Sequence, residues 1–592
     1  MGDTRNVPED LRLLIRLGAR ARAPAVVGIL AMAVVGAVLE VVGVGLVFPL
    51  IALLHEPERI AESEALARAY EAIGADSTRE FLIALSLVMA AVFLIKTAYM
   101  VVLAWAETRF LARWRADTSQ QLMRAYLCAP FASTANRNSA GPVRTVASLV
   151  PKVFEGFVRS NLSLAVNAIM ALAIVAVIGF AEPVVVGVSL LALPMLVLQH
   201  QGFRRRSLRL GKGLTRLQRE RQKGLQESFG ALKEAKVVGR EGFLLGRFQR
   251  VEEAFTENHR KQAFLQQLPP LITEIVLMAS ILALVIAILF SDSRSGDTLA
   301  SLGLLAAASF RLAPLCNRLL ISANSVHHGR DAARTVLADL ETPLEVRPES
   351  TASMGRPERI ERELRLEGVC FRYPGAERDA LHDISFALAA GERVGLAGPS
   401  GAGKTTLADL VLGVFEPTRG SIRVDGRPIR GRSLEWRRAV GYVAQSVYLL
   451  DDSVRCNVAF GLDPDDERVW AALELAQVAD AVRDLPGGLD ANLGENGARL
   501  SAGQRQRIGI ARALYPDPSL LVLDEATSAL DAATESDFAA AIRDLGGEKS
   551  LLVIAHRRAT LEVCDRVVFL REGRIEAIGA DKDLPLAEAG LR

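Results

Sequence analysis

The apolar residues of this 592-residue chain are concentrated in six runs, all of them in its first 330 positions. Most of the runs reach about 20 residues, the length that a helix needs to cross the hydrocarbon core of a bilayer. They extend over 23–54, 81–106, 162–180, 183–198, 269–290 and 299–321, and none holds more than two charged residues. The fourth run is short, and it needs the uncharged residues that follow it, or tilt, to span. The sequence therefore predicts six transmembrane helices.

The charges around these runs predict how the chain is oriented. Arginines precede the first run and directly follow the fourth, whereas the loop between the first two runs is rich in glutamate. Because cytoplasmic loops carry the excess of arginine and lysine, we expect both termini in the cytoplasm of a bacterium, with the chain in the cytoplasmic (inner) membrane. Half of the residues are hydrophobic, which argues against a soluble enzyme. The net charge of +2 gives no indication of nucleic-acid binding.

A glycine-rich run in the last third of the chain predicts a phosphate-binding loop. It reads Gly398-Pro399-Ser400-Gly401-Ala402-Gly403-Lys404-Thr405, with Thr406 next. In such a loop the glycines let backbone N–H groups turn inward around phosphate oxygens, while the lysine reaches the outer phosphates and the hydroxyl of Thr405 ligates magnesium. The run predicts a nucleotide site but leaves many families open.

A second run restricts the family. Leu500-Ser501-Ala502-Gly503-Gln504 resembles the signature of ATP-binding cassette (ABC) proteins, and the apolar stretch after it ends in Asp524-Glu525. This resemblance implies a site for ATP and Mg²⁺ to which each matching residue contributes. It places Tyr373 on the adenine, Thr406 with the P-loop at the ATP, Gln445 at the magnesium and the attacking water, Asp524 at the magnesium, Glu525 as the catalytic carboxylate, Asp531 in the loop that crosses to the partner cassette, and His556 at the outer phosphate. Taken alone, His556 is also compatible with a core histidine and Tyr373 with a surface aromatic residue.

The chemistry of ATP hydrolysis explains why these residue types are needed. Phosphoryl transfer to water requires neutralisation of charge on the outer phosphate and a positioned nucleophile, with little covalent work by the protein. Lys404 and a magnesium ion on Thr405 and Asp524 meet the first requirement. Glu525 meets the second by orienting water or accepting its proton, so we predict an active ATPase.

One residue departs from the family pattern, since Ala502 stands where a glycine is usual. The run from Ser501 has the form of a helix start, with Ser501 as N-cap and Gln504 three residues later in a capping box. Alanine suits a first helical turn better than glycine. The exchange is harmful only if the position needs positive φ or close approach to the nucleotide, so we expect a competent site.

The order of the parts resembles the half-transporter exporters of the type IV ABC fold. That family has an α-helical membrane domain of six transmembrane helices with long cytoplasmic extensions, followed by an α/β P-loop cassette. We therefore predict a membrane domain at 1–340, a linker at 341–360 and a cassette at 361–592. In the family the signature (Ser501, Gly503 and Gln504 here) completes the ATP site of another cassette. One chain holds one cassette, so we expect a homodimer, with a heterodimer as the alternative.

Two long charged segments, one between the second and third apolar runs and one between the fourth and fifth, predict the cytoplasmic extensions. The segment 204–267 spaces its apolar residues as on a helix face and is poor in turn residues, which predicts a helical hairpin rather than an inserted soluble domain. In ABC exporters the tips of such hairpins dock on the cassettes. We expect the tips near 130–138 and 230–242.

Two arginines in the sixth run carry the prediction of cargo. Arg311 and Arg318 lie seven residues apart, on one helix face, and an arginine near the bilayer centre costs about 2.5 to 3.5 kcal/mol on insertion scales. Guanidinium groups suit phosphates, so the pair predicts a site for a pyrophosphate. Alternatively, Arg318 reaches the inner headgroups and Arg311 pairs with Glu40 or Glu274.

With the segments 40–49 and 136–139, these arginines resemble flippases of lipid-linked oligosaccharides, which carry an external helix that 61–73 is able to form. The predicted function is an ATP-driven exporter or flippase of a lipid-linked (poly)saccharide or related amphipathic lipid. A multidrug or peptide exporter is the alternative, because fold does not determine cargo. An ATP-gated channel or regulatory ATPase is a further alternative, against which the presence of Glu525 and His556 argues.

Overall fold

The computed structural model describes most of the chain: residues 9–19, 22–45, 77–131, 140–181, 183–290, 295–341, 358–429, 434–525, 549–555 and 558–580, with 68, 70, 543 and 547. The chain divides into two compact units. One comprises Met1–Leu127 with Ser139–Pro343, and the other comprises Cys128–Asn138 with Leu344–Arg592. The predicted domain boundaries at 340 and 361 stay a prediction. The linker segment 343–357 lies outside the described residues.

The first unit is helical throughout its described parts. Its elements in chain order are α1 (Glu9–Leu14) with a π-helical turn Ile15–Ala19, α2 (Ala23–Gly45), α3 (Thr78–Leu127), the stretches Ala140–Arg144, Thr145–Leu149, Val150–Lys152 and Val153–Val158, α4 (Arg159–Ala181), α5 (Pro183–Gly230), α6 (Leu232–Val238), α7 (Glu241–Phe290) and α8 (Ser295–Glu341). The four longest have 47 to 50 residues. At 1.5 Å per residue they extend roughly 70 Å, more than twice the thickness of a bilayer core. The predicted long extensions are therefore continuous with the spans.

Three helices are long and apolar enough to cross a membrane among the residues that the structure describes. They cover Ala23–Val42, Thr78–Leu127 and Gly141–Ala176. The runs 183–198, 269–290 and 299–321 are helical too, but many of their side chains lie outside the described part of the chain. The helical membrane region is confirmed, and the count of six spans remains a prediction.

Small side chains let α2 pack closely against α3 and α4. Ala33 and Ala37 on α2 are completely or almost completely buried, in a cluster with Leu103 of α3 and Met170 of α4. Without a hydrophobic drive between helices in lipid, such close approach supplies the van der Waals contact that holds spans together. This cluster accounts for the packing of the first three spans.

A buried ion pair also joins α2 to α3. Lys96 Nζ lies 2.5 Å from Glu40 Oε2, and both side chains are about nine-tenths buried. Pairing removes much of the cost of burying either charge at the interface between these adjacent spans. The predicted pair of Glu40 with Arg311 stays a prediction, because the side chain of Arg311 lies outside the described part of the chain.

The predicted helical hairpin is formed by α5, α6 and α7. The long helices α5 and α7 pack along each other, and ion pairs between Arg221 and Glu252 (2.6 Å) and between Arg247 and Glu227 (2.8 Å) cross their interface. The short α6 ends at Gly239, whose φ of 66° is the left-handed conformation of a helix C-cap. The tip thus falls where the sequence placed it, within 230–242.

The second unit contains an α/β domain with two sheets. An antiparallel sheet is ordered β2-β1-β4-β5, from β1 (Glu363–Phe371), β2 (Leu381–Ala389), β4 (Arg419–Val424) and β5 (Arg427–Pro428). A six-stranded sheet is ordered β10-β9-β3-β8-β7-β6, from β3 (Arg393–Ala397), β6 (Val440–Val443), β7 (Leu520–Asp524), β8 (Ser550–Ile554), β9 (Arg566–Arg571) and β10 (Arg574–Gly579). The strands β9, β3, β8, β7 and β6 run parallel, and β7 and β8 are buried at every position. The predicted α/β cassette is confirmed.

Helices cover the larger sheet. They are α9 (Lys404–Val411), α10 (Leu434–Ala439), α11 (Val454–Ala459), α12 (Asp466–Leu475), α13 (Ala479–Arg483), α14 (Ala502–Leu514) and α15 (Arg558–Leu561). One apolar core lies between the two sheets and α9, and a second surrounds α11 to α14. Both cores are dominated by aliphatic residues, and they fix the strand ends at which the polar residues stand.

Candidate active site

The predicted site residues follow neighbouring strands at one edge of the larger sheet. The P-loop follows β3, Asp524 and Glu525 end β7, and Gln445 comes shortly after β6. Because β3, β8, β7 and β6 are adjacent and parallel, their carboxyl ends meet at the same edge. In parallel α/β sheets this edge is where ligands bind.

Two glycines of the P-loop are required by the backbone. Gly398 has φ 143°, and a Cβ there would lie 2.1 Å from the carbonyl oxygen of Leu570. Gly403 has φ 100°, and its Cβ would lie 2.6 Å from the side chain of Leu381. Any larger residue would displace the loop from β9 or β2, so the tight path of the loop backbone requires glycine at both positions.

Lys404 begins α9 and lies inside the loop. Its ammonium donates to the carbonyl oxygens of Gly398 (2.8 Å) and Pro399 (3.0 Å), and the residue is 6% exposed. Burial lowers the pKa of Lys404 from its usual value, while Glu525 and Asp524 oppose that change. The ammonium group of Lys404 therefore lies within the P-loop, where phosphate oxygens are able to replace the carbonyl oxygens of Gly398 and Pro399 as its hydrogen-bond acceptors.

Two of the predicted catalytic residues, Gln445 and Glu525, are in direct contact. Gln445 Nε2 donates to Glu525 Oε2 at 2.5 Å, and Asp524 beside it is buried. Glu525 has φ 48°, a left-handed backbone that is uncommon for a residue with a side chain. Its backbone N–H donates to Ile554 O of β8 (3.0 Å), so the strand end turns sharply at this carboxylate. The structure thus brings Gln445, Asp524 and Glu525 together.

Tyr373 is held beside the P-loop helix. Its hydroxyl lies 2.9 Å from the hydroxyl of Thr406, and its ring meets Phe371 (4.9 Å) and Phe415 (5.5 Å) edge to face. Tyr373 remains partly exposed. The sequence analysis placed Tyr373 and Thr406 separately at the ATP, and their hydrogen bond to each other fixes the orientation of the tyrosine.

The signature run begins α14 as predicted. Ser501 Oγ accepts from Gln504 N (3.2 Å), and Ser501 N donates to Gln504 Oε1 (2.9 Å), which is a complete capping box. Ala502 is the first helical residue and is exposed, so this position has no need of positive φ. In the described part of the chain these hydrogen bonds of Ser501 and Gln504 stay within the helix cap. Gly503 N–H lies in the first turn, which leaves it unpaired within an α-helix.

Several predicted residues fall outside the described part of the chain. Among the site residues they are Asp531, with its neighbours 528–530, and His556. The segments 46–49, 61–67 and 136–139 also lie outside the described residues. Arg311 lies in α8, but its side chain is not among those described. Arg318, on the same helix, is exposed. The P-loop residues Ser400, Gly401 and Thr405 are exposed at the loop surface.

Sequence analysis missed two residues behind Asp524. Burial, and then the charge of Asp524, raise the pKa of Asp409 to about 6, and burial with the charges of Asp524 and Asp409 raises the pKa of Tyr442 to about 12. Asp409 stands in the apolar run of α9, where a single carboxylate is unusual, and that was the available signal. Asp409 therefore places a second carboxyl group near Asp524, the predicted magnesium ligand.

The residues present fit magnesium and a nucleotide. Thr405, Asp524 and Gln445 offer hydroxyl, carboxylate and amide oxygens, the hard donors that Mg²⁺ prefers beside substrate phosphates. The tight backbone turn that Gly398 and Gly403 permit, and the buried ammonium of Lys404, fit an anionic phosphate chain.

The comparisons with known proteins agree with this geometry. Residues 381–528 match the family model described as "ABC transporter", and residues 46–310 match "ABC transporter transmembrane region". The chain is 35% identical over 496 residues to an "ATP-dependent lipid A-core flippase" of Burkholderia orbicola, covering 83% of this chain and 81% of that protein. A Ralstonia nicotianae protein of the same name is 33% identical, covering 78% of each chain.

Two further comparisons differ in how far they extend. A Cupriavidus metallidurans protein with the same flippase name is 37% identical over 390 residues, and the match spans 65% of its length and 64% of this chain. A solved structure, "Structure of a bacterial Atm1-family ABC exporter with ATP bound", has a TM-score of 0.75 at 22% identity, covering 96% of this chain and 98% of that one. At that identity the likeness concerns the fold.

Proposed function

Because the chain belongs to the ABC transporter family, with membrane region and ATP-binding cassette in one polypeptide, we propose that it flips an amphipathic lipid with a phosphate-bearing headgroup. The general prediction of an ATP-hydrolysing ABC exporter or flippase is confirmed by the family and by the relatives. The observation that carries the cargo proposal is the 35% identity, over 81% of its length, to a relative named as a lipid flippase. A lipid-linked saccharide is one member of this cargo class.

The two arginines of α8 support an anionic headgroup. Seven residues of helix place Arg311 and Arg318 about 10 Å apart along one face. Guanidinium groups bind phosphates through paired hydrogen bonds, which a lysine does not reproduce. We assign to both arginines the binding of phosphate on the transported lipid.

The site residues supply the chemistry that drives transport. Glu525 orients the attacking water and takes its proton, and Gln445 holds Glu525 in place through their hydrogen bond. Lys404 binds the outer phosphates, while His556 contacts the last of them. A magnesium ion on Thr405 and Asp524 neutralises the phosphate charge when bound. Tyr373 stacks on the adenine.

We further propose a homodimer in the bacterial inner membrane, with termini and cassette in the cytoplasm. Two features of the single chain support the dimer. The hairpin tip exposes apolar side chains, with Val237 79% exposed and Phe229, Val238 and Phe243 similarly open. The signature helix forms its own cap, and its first-turn N–H of Gly503 is available for the phosphate of a second copy. An exposed apolar cluster of this kind marks a protein interface.

The cargo is tested by ATPase stimulation in proteoliposomes. The panel contains polyprenyl-pyrophosphate-linked glycans, phosphorylated glycolipids, neutral lipids and hydrophobic peptides. We expect the phosphate-bearing lipids to stimulate hydrolysis, and Arg311→Ala to remove stimulation while basal hydrolysis remains. Arg311→Lys should recover only part of it. Arg115→Ala, which changes an exposed arginine on α3, is the control and should behave as wild type.

The outcomes separate the alternatives. If a phosphate-bearing lipid stimulates hydrolysis by Arg311→Ala as it does in the wild type, the role assigned to Arg311 is wrong. If peptides or neutral hydrophobic compounds stimulate hydrolysis and phosphorylated lipids do not, the multidrug or peptide exporter replaces the flippase. Hydrolysis that no panel member stimulates favours a regulatory ATPase.

A further inference from the structure

Four aromatic rings form a continuous row in the second unit. Phe131, four residues beyond the end of α3, meets Phe415 with ring centroids 5.9 Å apart. Phe415 in turn meets Phe371 (5.1 Å) and Tyr373 (5.5 Å). Phe131 belongs to the segment Cys128–Asn138, which groups with the cassette in one compact unit. The row therefore extends from the first predicted hairpin tip to the tyrosine assigned to the adenine.

Tyr373 depends on this row for its orientation. No strand contains it, because β1 ends at Phe371. Its position is instead set by the hydroxyl contact with Thr406 on α9 and by the edges of Phe371 and Phe415. Phe415 is 5% exposed, and its backbone N–H lies 3.4 Å from Asp409 O at the end of α9. A shift of Phe415 would move the support of the tyrosine ring.

The contact of Phe131 with Phe415 is peripheral. Phe131 remains 54% exposed, so it rests on the edge of the core and is not part of it. A side chain so placed contributes little to the folding of the cassette, yet it touches the ring that supports Tyr373. A contact of this kind transmits position without being needed for the fold.

We propose that Phe415 is a positioning residue for adenine binding and that Phe131 of the hairpin tip seats it, so that the tip sets the affinity of the cassette for ATP. This inference rests on the proposed role of Tyr373. It adds a residue of the tip, and a residue beyond the P-loop helix, to the determinants of nucleotide affinity. The inference is tested by binding of the adenine base, because the proposed phosphate contacts belong to the P-loop and not to Tyr373.

The experiment compares two ligands on the full-length protein in nanodiscs. ATP has a base to stack on Tyr373, and inorganic tripolyphosphate has none; each is measured by displacement of a fluorescent ATP analogue. Since aromatic pairs contribute modest energies, we expect Phe131→Ala to weaken ATP binding about three- to ten-fold. Binding of tripolyphosphate should not change.

Three variants serve as controls. Leu127→Ala removes a more exposed apolar side chain four residues earlier, at the end of α3, and should bind ATP as wild type does. Tyr373→Ala should weaken ATP binding and spare tripolyphosphate. Phe415→Leu keeps apolar volume without the ring, and adding Phe131→Ala to it should cause no further loss, since the two residues act through one contact.

The outcomes distinguish this inference from the function on which it rests. If Tyr373→Ala binds ATP normally, the assignment of Tyr373 to adenine is wrong, and the inference fails with it. If Tyr373→Ala weakens ATP binding but Phe131→Ala matches Leu127→Ala, the adenine site stands and only the role of Phe131 is overturned. Equal weakening of ATP and tripolyphosphate, or additive losses in Phe131→Ala with Phe415→Leu, also overturns it.

Discussion

The backbone of Glu525 is strained at the point where the proposed chemistry occurs. A left-handed conformation costs a residue with a Cβ roughly 1–2 kcal/mol, and here the φ of 48° is held by the hydrogen bond from Glu525 N to Ile554 O. The turn directs the carboxylate to Gln445 at 2.5 Å. Strain of this kind persists when the surrounding strands fix it, and it is concentrated at functional sites.

Replacing Glu525 by glutamine tests the catalytic assignment. The amide keeps the size of the side chain but neither accepts a proton nor orients water as strongly, so hydrolysis should fall by roughly 10²–10⁴-fold. ATP binding should remain, and the variant should accumulate with nucleotide bound. The measurement is phosphate release beside equilibrium binding of ATP. Hydrolysis near the wild-type rate would show that another group is the base, and loss of binding would indicate a structural role.

Single positions were predictable where chemistry alone dictates the residue. Gly398, Gly403 and Lys404 follow from the needs of a phosphate cradle, and the capping box of Ser501 and Gln504 follows from helix ends. Contacts between distant segments were not predictable. The bond from Tyr373 to Thr406 joins residues whose proximity is created by the sheet, and no local pattern encodes it.

At the scale of elements, the interface of α2 and α3 combines close packing with charge. The pair Glu40 and Lys96 lies among apolar residues of two spans, where either charge alone is costly. Sequence located both residues and both helices, since hydropathy reports length and charge. It did not indicate that they pair, because which faces meet depends on the packing of small residues such as Ala33 and Ala37.

Breaking the pair from one side should destabilise the membrane unit. Lys96→Met removes the buried cation that Glu40 contacts, and the loss of one member of a buried ion pair costs about 3–5 kcal/mol. The double variant Glu40→Gln with Lys96→Met removes both charges and should recover most of that loss. Thermal unfolding in detergent measures both. Arg115→Met, which breaks an exposed pair with Glu155, is the control and should cost less than about 1 kcal/mol.

The result that contradicts this expectation is equally specific. If Lys96→Met is as stable as Arg115→Met, the pair contributes nothing to the interface. If the double variant is no more stable than Lys96→Met, the loss comes from the packing of the lysine stem and not from its charge contact with Glu40.

At the scale of the molecule, the proposed dimer requires each chain to supply two different halves of an ATP site. The P-loop follows β3, and the signature begins α14, each satisfied by its own local contacts within the described residues. Sequence predicted this division from the family resemblance, and the ordered set of motifs predicted the fold of both units. The proposed assembly has no local sequence signal, because association depends on how separate surfaces, such as the exposed apolar tip at Val237, fit a partner.

A mixed dimer tests the shared site. Lys404→Ala damages the P-loop half, and Ser501→Arg places a bulky cation at the signature half; each homodimer then has two defective sites. In the dimer of one chain with the other, both lesions fall on a single site, and the second site is composed of intact halves. Hydrolysis by the mixture above either variant alone should therefore appear, measured after co-expression with two affinity tags. A covalently joined dimer with one damaged site establishes whether one intact site turns over alone. Where it does and the mixture still shows no recovery, each chain completes its own site or pairs with a different protein, and the homodimer is wrong.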